Sequence, residues 1–166
     1  MRVTHTAPSL LTLTSVLALS GCGGDGPAAQ APSAVSSTLS DPASGADCAG
    51  KDVRLARNDS EWILHGECGT VTITASRGAL NLDTARSIGV KGSNFTVLNK
   101  QLGQLSVSGH DNTLNLTTVD RVDIQGSKNL LLAREVKQVR FCSNDNPVNP
   151  SSKPTLDDCG SGNKVM

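Results

Sequence analysis

The chain has 166 residues, with 15 basic and 15 acidic side chains and a formal net charge of zero, a length suited to one domain. Such a balance argues against an electrostatic grip on nucleic acid, and no nucleic-acid partner is expected. Trp62, Phe95 and Phe141 are the whole aromatic complement, a poor supply of stacking platforms for sugars or bases.

Residues 1–21 read as a signal peptide. Arg2 and His5 lie in a short leading region, and Leu10 to Leu19 forms an apolar run too short to span a bilayer core of roughly 30 Å. The run closes on Leu19-Ser20-Gly21-Cys22, which resembles the lipobox of bacterial lipoproteins. In that family the cysteine thiol receives a diacylglyceryl group, the chain is cut just before it, and the new amine is usually acylated. The resemblance makes Cys22 the expected lipid attachment site and the membrane the expected partner. Several buried acyl chains, at about 0.8 kcal/mol per methylene, hold where one would be marginal. Gly23 follows, with no aspartate to suggest inner-membrane retention. An outer-membrane site facing periplasm or surface is therefore expected in a two-membrane envelope, and otherwise the outer face of the cytoplasmic membrane.

Residues 22–46 are dominated by Gly, Ala, Ser and Pro and are expected to form a lipid-anchored flexible linker. A coil of this length has a reach of roughly 25–30 Å.

The segment 47–142 carries a repeat. Apolar pairs separated by one residue recur every 17 positions: Val71/Ile73, Ile88/Val90, Leu105/Val107, Val122/Ile124 and Val139/Phe141. A second set is Leu80/Leu82, Val97/Asn99, Leu114/Leu116 and Leu131/Ala133, and a third is Ala85, Leu102, Val119 and Val136. The first repeat, with Val53/Leu55 and Trp62/Leu64, fits with one extra residue. Alternation marks half-buried strands. The intervening Gly92-Ser93-Asn94, Gly109 to Asn112 and Gly126 to Asn129 supply corners where Gly and Asn tolerate positive φ. A fixed period with strand–turn–strand grammar predicts an all-β, single-domain β-solenoid of five to six coils. A right-handed coil is expected from the general crossover preference. The rival is an antiparallel sandwich or barrel, which has no need of equal loops. The tail, 143–166, is rich in Pro and Asn and is expected to be an irregular cap.

Besides Cys22 there are four cysteines, Cys48, Cys68, Cys142 and Cys159. Three pairings are open. Cys48–Cys68 with Cys142–Cys159 is favoured because each closes a short loop at one end of the repeats, worth roughly 3 kcal/mol apiece. A zinc site is the competing reading, but the chain has no C-x-x-C and no histidine at ligand spacing.

The strings V-x-I-x-A-S at 71–76, I-G-V-K-G-S-N-F-T-V at 88–97, L-S-V-S-G-H-D-N-T-L at 105–114 and V-D-I-Q-G-S at 122–127 are similar to a bacterial domain-of-unknown-function family. Its secreted proteins and lipoproteins carry repeats of the form V-x-V-x-G-S-x-N-T-V. A cysteine before the first repeat and a Cys-Gly opening the second, as in Cys48 and Cys68-Gly69, also resemble that family. The resemblance covers roughly 47–142 and implies no active site. The turn pattern is degraded at Asn58-Asp59, Arg77-Gly78 and Lys128.

No catalytic, metal or cofactor constellation is evident. His110-Asp111 sits in a turn without a nucleophile elbow. Outward columns such as Asp83/Lys100/Thr117/Arg134 mix signs, where a calcium or acid/base site needs acids gathered on one face. One outward column is less bland: Ile63, Asn81, Leu98, Asn115 and Leu132, beside Ala79, Thr96, Thr113 and Leu130. Ile63, Leu98, Leu130 and Leu132 are its candidate partner-binding residues. The expected protein is a monomeric, non-enzymatic envelope lipoprotein with an envelope protein or glycan as partner. The alternative is a hydrolase or lyase acting on an envelope polysaccharide.

Overall fold

A computed structural model describes residues 37–166; the expected signal peptide, the expected lipid site Cys22 and the expected linker through residue 36 lie outside the described residues. In chain order the strands are β1 (Thr38–Ser40), β2 (Ala46–Asp47), β3 (Asp52–Leu55), β4 (Glu61–Ile73), β5 (Gly78–Val90), β6 (Phe95–Val107), β7 (Thr113–Ile124), β8 (Leu130–Phe141), β9 (Pro147–Pro150), β10 (Thr155–Asp158) and β11 (Lys164–Val165). All pair in parallel with the strand one coil away. The fold is a β-solenoid, and the antiparallel sandwich or barrel is overturned.

Each long strand is one coil bent at two corners. In β6 the segments Thr96–Asn99, Gln101–Leu102 and Gln104–Val107 pair with the next coil, while Lys100 and Gly103 sit at unpaired corners. Three faces result, and alternate residues point inward. One inward column is Val53, Val71, Ile88, Leu105, Val122 and Val139; another is Trp62, Leu80, Val97, Leu114, Leu131 and Val148. All twelve are at most 2% exposed, so each aliphatic side chain is sandwiched between its counterparts above and below. The extra residue of the first full repeat lies in β4, where pairing slips between Leu64 and Glu67 and Gly66 takes a φ of 87°.

The rod is longer than the five to six coils expected. It has about eight turns, a length of roughly 35 Å at about 4.8 Å per strand. Two segments assigned outside the repeats account for the difference. Within 22–46, β1 pairs with β3 and β2 pairs with β4, so ordered structure begins before residue 47. The tail 143–166 is not an irregular cap. Val148 continues the column of Leu131, Leu156 that of Val139, and Val165 that of Val148. Proline hides this continuation in the sequence, yet Pro147 and Pro150 are tolerated at the ends of a short outer strand.

The turns obey a different rule from the one the glycines suggest. Positive φ falls on Asp59, Arg77, Asn94, Asp111, Lys128 and Asp145, at 54° to 59°, and on Gly162. From Asp59 to Asp145 each left-handed residue gains a hydrogen bond to the next coil: the amide of Asn94 donates to the His110 carbonyl at 3.1 Å, and that of Asp111 to the Ser127 carbonyl at 3.3 Å. These bonds recur with Arg77 and Lys128, so the degraded turn sequences still make the same corner, offsetting a cost of roughly 1–2 kcal/mol for a left-handed non-glycine residue. The glycines serve closeness instead. A Cβ at Gly109 would overlap the Gly92 carbonyl, and one at Gly126 the Gly109 carbonyl.

Asn112 and Asn129 also have another role. They point inward, at 1% and 0% exposure, and head an asparagine ladder continued by Asn146 and Asn163. The Asn112 amide nitrogen donates to the Asn129 side-chain oxygen at 3.0 Å and to the Gly92 carbonyl at 3.0 Å; the same oxygen accepts from the Asn112 backbone at 3.1 Å. Asn129 repeats the pattern, donating to the Gly109 carbonyl at 3.0 Å and bonding to Asn146. Toward the N-terminus the column changes chemistry. Phe95 lies one coil above Asn112, and Gly78 one coil further leaves room for its ring, which stacks on Trp62 with centroids 6.4 Å apart.

Disulfides join Cys48 to Cys68 and Cys142 to Cys159, each with Cα atoms 4.9 Å apart. That is the spacing of adjacent parallel strands, and it falls within the range a disulfide spans. The second bridge therefore ties neighbouring coils side by side and does not pin a flap over the end.

Facing is tested by charge insertion. Val107→Asp buries a carboxylate in a central coil and is expected to unfold the domain, whereas Ser108→Asp, on an exposed position, is expected to leave the melting temperature within a few degrees; equal melting temperatures would overturn the assignment. The amide column is tested in the same way. Asn129→Ala strands buried donors and acceptors on both sides and should cost about 2–4 kcal/mol in denaturant titration.

Candidate functional site

The candidate residues fall on the face formed by the first straight segment of each coil. Register places Ile63, Asn81, Leu98, Asn115, Leu132 and Asn149 in one outward column. Glu61, Ala79, Thr96, Thr113 and Leu130 form the column beside it. The alternation that turns Val97 and Asn99 inward turns Leu98 outward, so this placement follows from strand geometry alone. Ile63 is 48% exposed and Leu98 39%. Leu130 and Leu132 are half-buried, less open than the sequence reading expects.

The chemistry of this face is its lack of charge. From Ala79 to Asn149 the two columns hold only Ala, Asn, Thr and Leu. The adjoining surfaces are charged and internally neutralised. At one corner Lys100 meets Asp83 at 2.7 Å, with His65 at 3.7 Å from the same carboxylate. At the other, Lys137 meets Asp120 at 2.6 Å and Arg86 meets Asp52 at 3.5 Å. On the turn side Arg77 bonds Asp59 through two nitrogens, at 2.8 and 2.9 Å. The hydrogen bond from Lys100 holds the Asp83 carboxyl below the usual range, and that from Arg77 does the same for Asp59. These carboxylates stay ionised and paired with the coil next door.

Other concavities are shallow surface depressions. One of about 420 Å³ is lined by Gln104, Arg121, Asp123, Gln138, Arg140 and Asp157, among others. His110 sits in another with Ser108 and Ser127. Its ring nitrogen Nδ1 lies 2.8 Å from Asp111, and the Ser127 hydroxyl of the same depression pairs with that of Ser143 at 2.7 Å. Among the described residues no group of three or more His, Cys, Asp and Glu is placed to hold a metal ion. Sequence reasoning placed the uncharged columns and missed the buried amide ladder, although Asn112, Asn129, Asn146 and Asn163 recur at intervals of 17.

A domain of unknown function, DUF3060, is found at residues 107–162. The match runs through β7 to β10 and spans Cys142 and Cys159, so it includes most of the tail as well as the central coils. No curated protein and no solved structure shows significant similarity to the chain.

Proposed function

We propose that the chain is a non-enzymatic cell-envelope lipoprotein, anchored through Cys22 and tethered by the segment after it, that presents the uncharged face of a rigid rod to another envelope component. The observation that carries this reading is that face: exposed aliphatic side chains on a flat parallel sheet, bordered by charged corners. Depletion of charge at the centre of a patch is the compositional mark of an interaction surface. Two disulfides suit an oxidising compartment outside the cytoplasm, and the lipobox supplies the address. A polysaccharide hydrolase or lyase is the weaker reading, because the corner carboxylates Asp83 and Asp120 are occupied by lysines of the adjoining coil.

The anchor is tested by metabolic labelling with a palmitate analogue. Wild-type chain should incorporate label and sediment with membranes, and Cys22→Ala should do neither; a labelled Cys22→Ala chain would refute the assignment. The face is tested by in-cell crosslinking followed by pull-down. Leu98→Lys with Leu132→Lys should abolish capture of a stoichiometric partner at an unchanged melting temperature. Capture that survives both lysines would overturn the role of the face, and a large thermal loss would show that these leucines are core.

A further inference from the structure

We propose that the occupant of the uncharged face is a second copy of this chain, docked face to face with the two rods parallel about a two-fold axis along the column from Ile63 to Asn149. The inference rests on the reading of this face as a docking surface and goes beyond it by naming what docks. An axis along the rod sets every rung against the same rung of the partner. Leu98 then meets Leu98, Ile63 meets Ile63 and Leu132 meets Leu132, while the rungs between bring Asn81 to Asn81 and Asn115 to Asn115. A primary amide carries donor and acceptor together, so two symmetry-related asparagines satisfy each other. An unrelated partner would have to match apolar and amide rungs in strict alternation.

The flanks agree with this orientation. The same axis sets the column of Glu61, Ala79, Thr96, Thr113 and Leu130 against the corner column of the other copy. Glu61 thereby faces His65, Thr96 faces Lys100 and Thr113 faces Thr117, with no like charges opposed. An antiparallel arrangement about Leu98 would set Lys100 against Lys100. Parallel rods also carry both N-terminal ends on the same side, as two chains tethered to one membrane require. The area is small. Six rungs at about 4.8 Å by four residues at about 3.3 Å give roughly 400 Å² per copy, near 800 Å² in all and below the ~1,200 Å² of a stable free complex. Pairing therefore depends on the tether, which raises the effective concentration of one copy around another.

The test places single cysteines in the full chain, in intact cells, and adds a short bismaleimide. Leu98→Cys and Asn115→Cys should each give a product at twice the chain's mass, while Ser106→Cys, on another face, should not. A product from Leu98→Cys without one from Asn115→Cys would overturn the parallel axis. An adduct of unrelated mass would overturn self-pairing and leave the docking reading standing. No adduct at Leu98 or Asn115 would defeat both.

Discussion

The constraint behind the whole molecule is that each coil must lie on the last at strand spacing. Backbone hydrogen bonds leave every coil upward and downward, so a coil of the wrong length would misplace its donors along all three faces at once. The period follows from this, and so does the way the deviation in the first full repeat is absorbed. Where β4 holds an extra residue, pairing slips locally at Leu64–Glu67 and resumes. The same spacing decides turn chemistry: carbonyls of one coil fill the place where a Cβ at Gly109 or Gly126 would sit. Contacts are confined to neighbouring coils, so stability is a sum of nearest-neighbour terms, as in other repeat architectures.

Inside the stack two kinds of column coexist. The aliphatic columns gain by excluding water and specify little about which coil lies next to which. The asparagine column is directional, since each side-chain oxygen accepts from the coil before it and each amide nitrogen reaches back to a turn carbonyl. Buried amides are costly unless satisfied, and here the satisfaction comes from stacking itself. The sulfur bridges add covalent rungs between neighbouring coils toward the two ends of the stack.

Much of this was legible in the sequence, for physical reasons. Val71, Ile88, Leu105, Val122 and Val139 share a spacing that only stacked coils require, and alternation fixed which side chains face outward on the face of Leu98. The tail was misread because its signal is thin: Val148, Leu156 and Val165 stand alone among Pro, Asn and Ser, and a lone aliphatic residue has no alternation to announce a strand. The first two strands were hidden for the same reason, being three and two residues long. Asn112 and Asn129 read as corner residues because asparagine is common in turns, and their inward direction depends on the neighbouring left-handed residue. That residue is arginine or lysine in two coils, Arg77 and Lys128, and neither advertises the conformation.

The point where Phe95 gives way to Asn112 has a consequence for assembly of the chain. Near-identical repeats are prone to slipping, because a strand displaced by one unit still finds aliphatic partners. Here a slipped strand would oppose a benzene ring to an amide that expects Asn129, or crowd Phe95 into space that only Gly78 leaves free. The aromatic-to-amide junction thus labels an address along an otherwise uniform stack, giving each coil a particular neighbour.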